Sequence, residues 1–346
     1  MCTVSAVDVA LTSEQAQWNE AVGRLATAHA VTNPGGIPDD ADGRGWQAVL
    51  DLGIPALRSP VLSGVDAAGV ESTLAVEQLA RHLCALPVVG QGVLAPELLH
   101  AAGAETLLEA VAAGERRVAP TLTADLHDLG RLGEPAVAFD AAGATHALLL
   151  DGDELVVVDL APDAPEGLDL TRFVLPVDPA ASAERTGFRI DAERLDRVRA
   201  VALTAVAADL LGVMDGAVCD AIAYAKDRKQ FGTPIGSFQA VQHLLADAAV
   251  AVEGARSCVW HAAWAGDHLE ASEALLAART AKAYCAELGL RTVEASVQVF
   301  GGIAITWEHL SHLRLRRAHL DRGCLGDEHV QYRSIAATRL GREAVG

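Results

Sequence analysis

From Glu193 onward, apolar residues recur every three to four positions over most of the remaining chain. The pattern covers segments near 194–227, 237–267, 271–300 and 326–343, with breaks at Gly232–Gly236, Gly266-Asp267 and Gly301-Gly302. Runs this long, joined by short loops, must bury their apolar stripes against one another. The sequence therefore predicts a C-terminal four-helix bundle over 191–346.

The first third also reads as helical, and 1–117 is expected to be an N-terminal helical domain. Thr12-Ser13-Glu14 opens an amphipathic run through about His29, and the Pro/Gly-rich stretch from Asn33 breaks it. A second helix is expected from Val70 to Leu86, stopped by Pro87, and a third from Ala95 to Ala113, broken or kinked near Gly103. The texture changes after Arg117. Pro135–Phe139, Thr145–Leu150, Glu154–Leu160 and Arg172–Pro176 are short, largely apolar runs that suit strands. Asp151-Gly152-Asp153 makes a good hairpin turn between two of them. A small β-domain over 118–190 follows, so the fold class is mainly α with a small β-domain.

A chain of 346 residues is long for one core, so two or three domains, or one large helical assembly, is the starting point. The net charge of −19 argues against nucleic acid and anionic membrane surfaces as partners, though a local basic cluster could still hold an anionic ligand. The six cysteines, Cys2, Cys84, Cys219, Cys258, Cys285 and Cys324, form no Cys-x-x-Cys pair and read as small buried hydrophobes. No secretion signal is evident, and no stretch approaches the ~20 uncharged apolar residues of a membrane helix. The expected setting is cytoplasmic.

Two motifs carry chemistry. In Tyr224–Asp247, Arg228, Gln230 and Phe231 follow a helix end, and Gly232-Thr-Pro-Ile-Gly236 turns the chain into a new helix with Ser237 as its N-cap. A guanidinium fork suits a pair of pyrophosphate oxygens, an amide suits a phosphate or ribose hydroxyl, and a ring offers a flat face to a base or flavin. Farther on, Gln298-Val-Phe-Gly-Gly302 pairs two glycines at a helix end, where backbone N–H groups can approach a ligand closely. Either motif alone has a plainer reading, a surface arginine or a glycine helix cap. His309, His312, His319 and His329 show no metal-ligand spacing. Asp42-Gly-Arg-Gly45 is a loop with nothing to mark it as a phosphate cradle.

Together the motifs resemble the acyl-CoA dehydrogenase family. The resemblance is strong from about 194 to 320, is present at 70–115 through Val76-Glu-Gln-Leu-Ala-Arg-His-Leu-Cys-Ala-Leu-Pro87, and is only architectural in the β-domain. It implies FAD as cofactor, with Arg228, Gln230 and Phe231 reaching the nucleotide of a neighbouring subunit and Gln298, Gly301 and Gly302 lining its adenosine side. It also implies α,β-desaturation of an acyl-CoA thioester, a tetramer of homologous subunits, and an electron-transfer flavoprotein-type acceptor. Arg316-Arg317 resembles a largely structural element of the family. With Arg314 it makes a basic cluster, alternatively read as an interface ion pair or a CoA phosphate contact.

The chain departs from the family at both positions that can supply the catalytic carboxylate. Anchoring on Arg333 puts Gly326 at one, and anchoring on Leu211-Gly212 and Arg228 puts Ala202 near the other. Asp327, Glu328 and Glu308 stand as displaced candidates, although acidic residues in a first helical turn also favour its dipole. The family's flavin-packing segment is replaced by residues 119–128, leaving Thr121 or Thr123 as possible ring contacts. The preferred expectation is the shorter companion subunit of a heterotetramer. The alternatives are a homotetramer with a relocated base and a scaffold that has lost FAD.

Overall fold

A computed structural model describes residues 11–37, 43–161, 167–180 and 182–341. Helix α1 (Ser13–Ala28) opens with a capping box: the Thr12 hydroxyl accepts from Gln15 N–H, and the Gln15 side chain accepts from Thr12 N–H. Then come α2 (Arg44–Asp51), α3 (Pro60–Ser63), α4 (Gly69–Arg81), α5 (Ala95–Ala102) and α6 (Glu105–Ala112). Of the Asp42–Gly45 loop, Arg44 and Gly45 instead open α2, and Asp42 lies outside the described residues. Gly103 separates α5 from α6 in a left-handed cap, so the expected kink is a full break.

Helix α4 ends five residues short of Leu86, before Pro87 acts. Leu83 takes φ 54°, its N–H bonds Ala80 O, and Cys84 N–H bonds Leu79 O. This is a Schellman closure with leucine where glycine is usual. Leu83 is fully buried in the main core, which offsets its backbone cost of ~1–2 kcal/mol. Val88–Leu94 then forms a buried turn of wide, π-type helix.

The strands are β1 (Val118–Thr123), β2 (Ala136–Phe139), β3 (His146–Asp151), β4 (Glu154–Asp159), β5 (Val174–Val177) and β6 (Ala183–Arg189), in one sheet of order β5-β2-β1-β3-β4-β6. Only β1 and β3 run parallel. Gly152, at φ 64°, turns the β3–β4 hairpin as the sequence predicts. Leu148 and Leu150 face the main core, whereas Ala147 and Leu149 face a second apolar cluster. Burial on both faces explains why these strands read as continuous apolar runs. Two strands escape the sequence reading: β1 contains Pro120, and β6 is a polar, largely exposed edge.

The remainder is mainly helical: α7 (Ala192–Asp227), α8 (Gln239–His268), α9 (Ala271–Phe300), α10 (Ser311–Gly323) and α11 (Glu328–Leu340). Gly266 and Asp267 belong to α8 rather than to a loop, and Asp267 accepts from Arg58 (2.6 Å) and Gly69 N–H (2.7 Å). Helix α7 is long and apolar enough to pass for a membrane span, but 89% of that apolar window is buried inside the protein. Of the cysteines, Cys84, Cys285 and Cys324 are buried and Cys219 and Cys258 half-buried, while Cys2 lies outside the described residues.

Helix α10 was not foreseen, because it buries charge as well as apolar surface. Arg317 donates to both oxygens of Asp209 on α7 (2.8 and 2.6 Å) and to Cys84 O (3.1 Å) beyond α4. Arg172, ahead of β5, donates to Asp209 (2.8 Å) and lies over the Phe139 ring. Asp140 accepts from Gly90 N–H (2.9 Å), and Asp169 and Asp321 complete the cluster around Arg172. These groups tie the N-terminal helices, the sheet and the bundle together. Arg314 pairs with Asp220 (2.7 Å) and Arg316 donates to Leu168 O (3.0 Å), so all three arginines of the Arg314–Arg317 cluster have internal partners.

Candidate functional site

Helix α7 hands over to extended backbone at Arg228, φ −69° and ψ 124°. Two short strands, β7 (Lys229–Gln230) and β8 (Thr233–Pro234), pair Lys229 with Pro234 and Gln230 with Thr233. Phe231 and Gly232 are thus the two loop residues of a minimal hairpin, at φ 53° and 81°. Two positive φ values are what such a turn requires, and glycine supplies the second without strain. Phenylalanine at the first is unusual. Its ring is 95% exposed, touching only the edge of Phe238 at 6.3 Å. Arg228 is exposed, and its guanidinium has no partner among the described residues. Gln230 is also exposed, its amide bonding Lys229 O (2.8 Å). Ser237 does not cap α8: its hydroxyl donates back to Pro234 O (2.7 Å), and α8 starts after Phe238 without a side-chain cap.

The glycine motif ends α9 on the same side of the bundle. Phe300 packs on Tyr224 of α7 at 5.0 Å, and Val299 shares a buried cluster with Ala221, Ala225 and Ile235. The fold therefore brings the two motifs, 70 residues apart from Arg228 to Gln298, to one end. Gln298, Gly301 and Gly302 are exposed, as are Ile305 (83%) and Trp307 (57%). A free guanidinium, accessible glycine backbone and uncovered rings on one rim fit a dinucleotide: the fork suits its diphosphate and the rings its base.

At the other end of the bundle, the turn before α11 is tightly pinned. Leu325 and Gly326 have φ 57° and 87°. Lys282 of α9, fully buried, donates to Arg322 O and Gly326 O at 2.8 Å each, and burial pushes its pKa down to about 8. Gln331 Nε2 donates to Leu325 O (2.6 Å). Asp327 accepts from Val330 N–H (3.1 Å) as the N-cap of α11. Glu328 grips Arg322 through both oxygens, and that pairing holds its pKa below the ordinary carboxylate range. Glu308 is exposed, beside Trp307 on the far rim. Ala202 of α7 and Leu325 line one cleft. Sequence reasoning missed Lys282 and Gln331; a lone lysine between Ala281 and Ala283 on a buried helical stripe was the available signal.

The family model for the acyl-CoA dehydrogenase C-terminal domain matches residues 185–340. Acyl-CoA dehydrogenase IpdE2 of Mycobacterium tuberculosis is 34% identical over 267 residues, covering 70% of this chain and 80% of IpdE2. The chain belongs to the acyl-CoA dehydrogenase family. FadE34 of the same organism is 32% identical over 315 residues, 86% of this chain but only 43% of FadE34, so the chain spans less than half of that relative. The ChsE4–ChsE5 complex from M. tuberculosis superposes with a TM-score of 0.78 at 22% identity, covering 98% of this chain and all of that one. A Tcur3481–Tcur3483 steroid ACAD variant gives 0.79 at 24%, covering 95% and 98%.

In this member of the family the threonines of β1 are committed internally. Thr121 donates to Leu148 O (2.7 Å), and Thr123 organises the turn through Asp125. Among the described residues, no group of three or more His, Cys, Asp or Glu is arranged to hold a metal. Gly326 is not a site from which only a side chain has been trimmed. A Cβ there would come within 2.7 Å of Val330 Cγ1, at a φ that L residues resist. Gly326→Glu should therefore cost about 2 kcal/mol or more and create no dehydrogenation. Urea midpoints and turnover measured on the variant check both; unchanged stability with new turnover would contradict the geometry.

Proposed function

We propose that this chain is the companion subunit of a heteromeric acyl-CoA dehydrogenase, holding FAD seated mainly on a homologous partner. The carrying observation is Phe231, a strained and uncovered ring beside a free arginine fork. Strain of ~1–3 kcal/mol is commonly stored at functional sites. Arg228 would bond the diphosphate, Gln230 and Gln298 the ribose side, and the exposed Gly301-Gly302 backbone would let the adenosine approach. FAD, when bound, supplies the hydride acceptor for α,β-desaturation of an acyl-CoA thioester.

Geometry favours a corner that serves a second chain. Arg228 lies ~26 residues beyond Ala202, or about 39 Å along α7 at 1.5 Å per residue. One chain's corner is thus far from its own cleft. Ala202 in that cleft and Gly326 beside it carry no carboxylate, Asp128 of its wall is paired with Arg199, and Asp327 and Glu328 are tied to helix capping and Arg322. The base would come from the partner. The neighbouring folds include a complex of two named proteins, ChsE4 and ChsE5, which supports a two-subunit assembly.

Purifying the chain alone and with a co-expressed homologous subunit tests this reading. A flavin absorbance band only in the co-purified complex is the expected result. Flavin in the lone chain would point to a homomer, and its absence from both would leave a scaffold.

A further inference from the structure

The chain has only three lysines, Lys226, Lys229 and Lys282, and its other strongly basic side chains are arginines. Lys282 is fully buried and donates to two backbone carbonyls. Lys226 and Lys229 are exposed, and neither side chain has a hydrogen bond or ion pair among the described residues. Every accessible lysine amine among the described residues therefore flanks Arg228, at the corner assigned to the flavin diphosphate. A cation in the last turn of α7 favours the helix dipole, which gives Lys226 a plain structural use. Arginine would serve that use equally well. Lysine differs in one chemical respect: its amine can lose a proton and attack an acyl carbon, whereas a guanidinium stays charged.

The corner also gathers positive charge in a chain whose net charge is −19. Lys226, Arg228 and Lys229 stand beside a single acid, Asp227. No further Asp or Glu follows until Asp247, and the stretch 298–307 at the same end carries no charge. A field of this sign draws in anionic donors such as CoA thioesters, whose nucleotide end bears phosphates. We propose that Lys226 and Lys229 are acylated by acyl-CoA thioesters, and that their acylation weakens the corner's hold on flavin. The amine nitrogen attacks the thioester carbonyl carbon, and a C–N bond forms as the C–S bond breaks. The amine's proton passes to the departing thiolate, so CoA leaves as its thiol and nothing is oxidised or reduced. The amide product is uncharged, so two of the three cations beside the diphosphate are lost. Only this consequence rests on the flavin reading; the acylation itself does not.

Incubating the full-length chain alone with butyryl-CoA in mildly alkaline buffer, followed by peptide mass mapping, tests the acylation. Butyryl groups on Lys226 and Lys229, with none on Lys282, are the expected result. The uncharged butyryl thioester of N-acetylcysteamine should react several-fold more slowly at the same concentration, and added salt should close that gap. Equal rates for the two donors at low salt mean adventitious acylation only and overturn the proposal, as does an unmodified corner. The consequence is read on the complex with a homologous subunit. Changing Lys226→Gln and Lys229→Gln together should lower flavin affinity roughly three- to tenfold, while Lys226→Arg with Lys229→Arg should retain it. Both double variants should melt with the parent, since neither side chain bonds anything among the described residues. Equal flavin affinity in the two double variants overturns the regulatory step. A parent complex without flavin defeats the flavin reading and that step with it, whereas the mass map of the lone chain decides the acylation on its own.

Discussion

With Arg228 changed to Met, the proposed complex of this chain with a homologous subunit should emerge without flavin. The native guanidinium is charged, forked and unpartnered, so its full donor set is available to a diphosphate. Hydrogen bonds to charged groups contribute ~1.5–3 kcal/mol, which corresponds to a loss of roughly 10- to 150-fold in FAD affinity. Because the side chain is exposed and bonds nothing among the described residues, the variant should unfold within about 0.5 kcal/mol of the parent. Loss of flavin with unchanged stability separates ligand contact from a folding role. Arg228→Lys should retain part of the affinity, since a point charge replaces the fork. If flavin occupancy of Arg228→Met equals that of the parent complex, the corner does not hold the nucleotide.

That corner was legible in sequence because its residues are local: a helix end, a two-residue turn and a new helix follow one another in the chain. The long helices were equally legible, since α7 and α9 keep their apolar period for 36 and 30 residues. What escaped depends on distant partners. Helix α4 stops early because Leu83 finds a place in the core, and its positive φ cannot be read from a leucine. Strand β6 looks like a polar loop until Arg185 meets Glu154 and Asp151 across the sheet edge. Ser237 has the composition of an N-cap, but its hydroxyl donates back to Pro234 O and α8 begins only after Phe238. The cleft was invisible for the same reason: Ala202 and Val330, which both line it, are 128 positions apart, and only packing brings them together.

Helix α10 makes the largest energetic case. Arg317→Met should destabilise the protein by about 3–5 kcal/mol, read as a lower urea midpoint at unchanged slope, because it leaves Asp209 with Arg172 as its remaining arginine and removes one of two cations from a buried cluster of charges. Burial opposes ionisation of Asp209, but Arg317 and Arg172 together hold its pKa below the ordinary range. Four carboxyl groups, Asp140, Asp169, Asp209 and Asp321, face only two guanidinium groups there. The imbalance is relieved by protons: burial, with Asp209 adding repulsion, pushes Asp321 well above its usual value, and burial raises Asp140. A carboxyl group raised in the folded state contributes stability that is complete below its unfolded pKa of about 3.9 and is lost as pH climbs through the folded value. Asp321→Asn preserves the shape and keeps the site neutral at every pH. The variant should therefore gain stability relative to the parent as pH rises above about 4, whereas Arg317→Met should lose it across the whole range. Parallel pH–stability curves for Asp321→Asn and the parent would mean that Asp321 carries no proton the fold depends on, and that the two arginines balance the cluster by themselves.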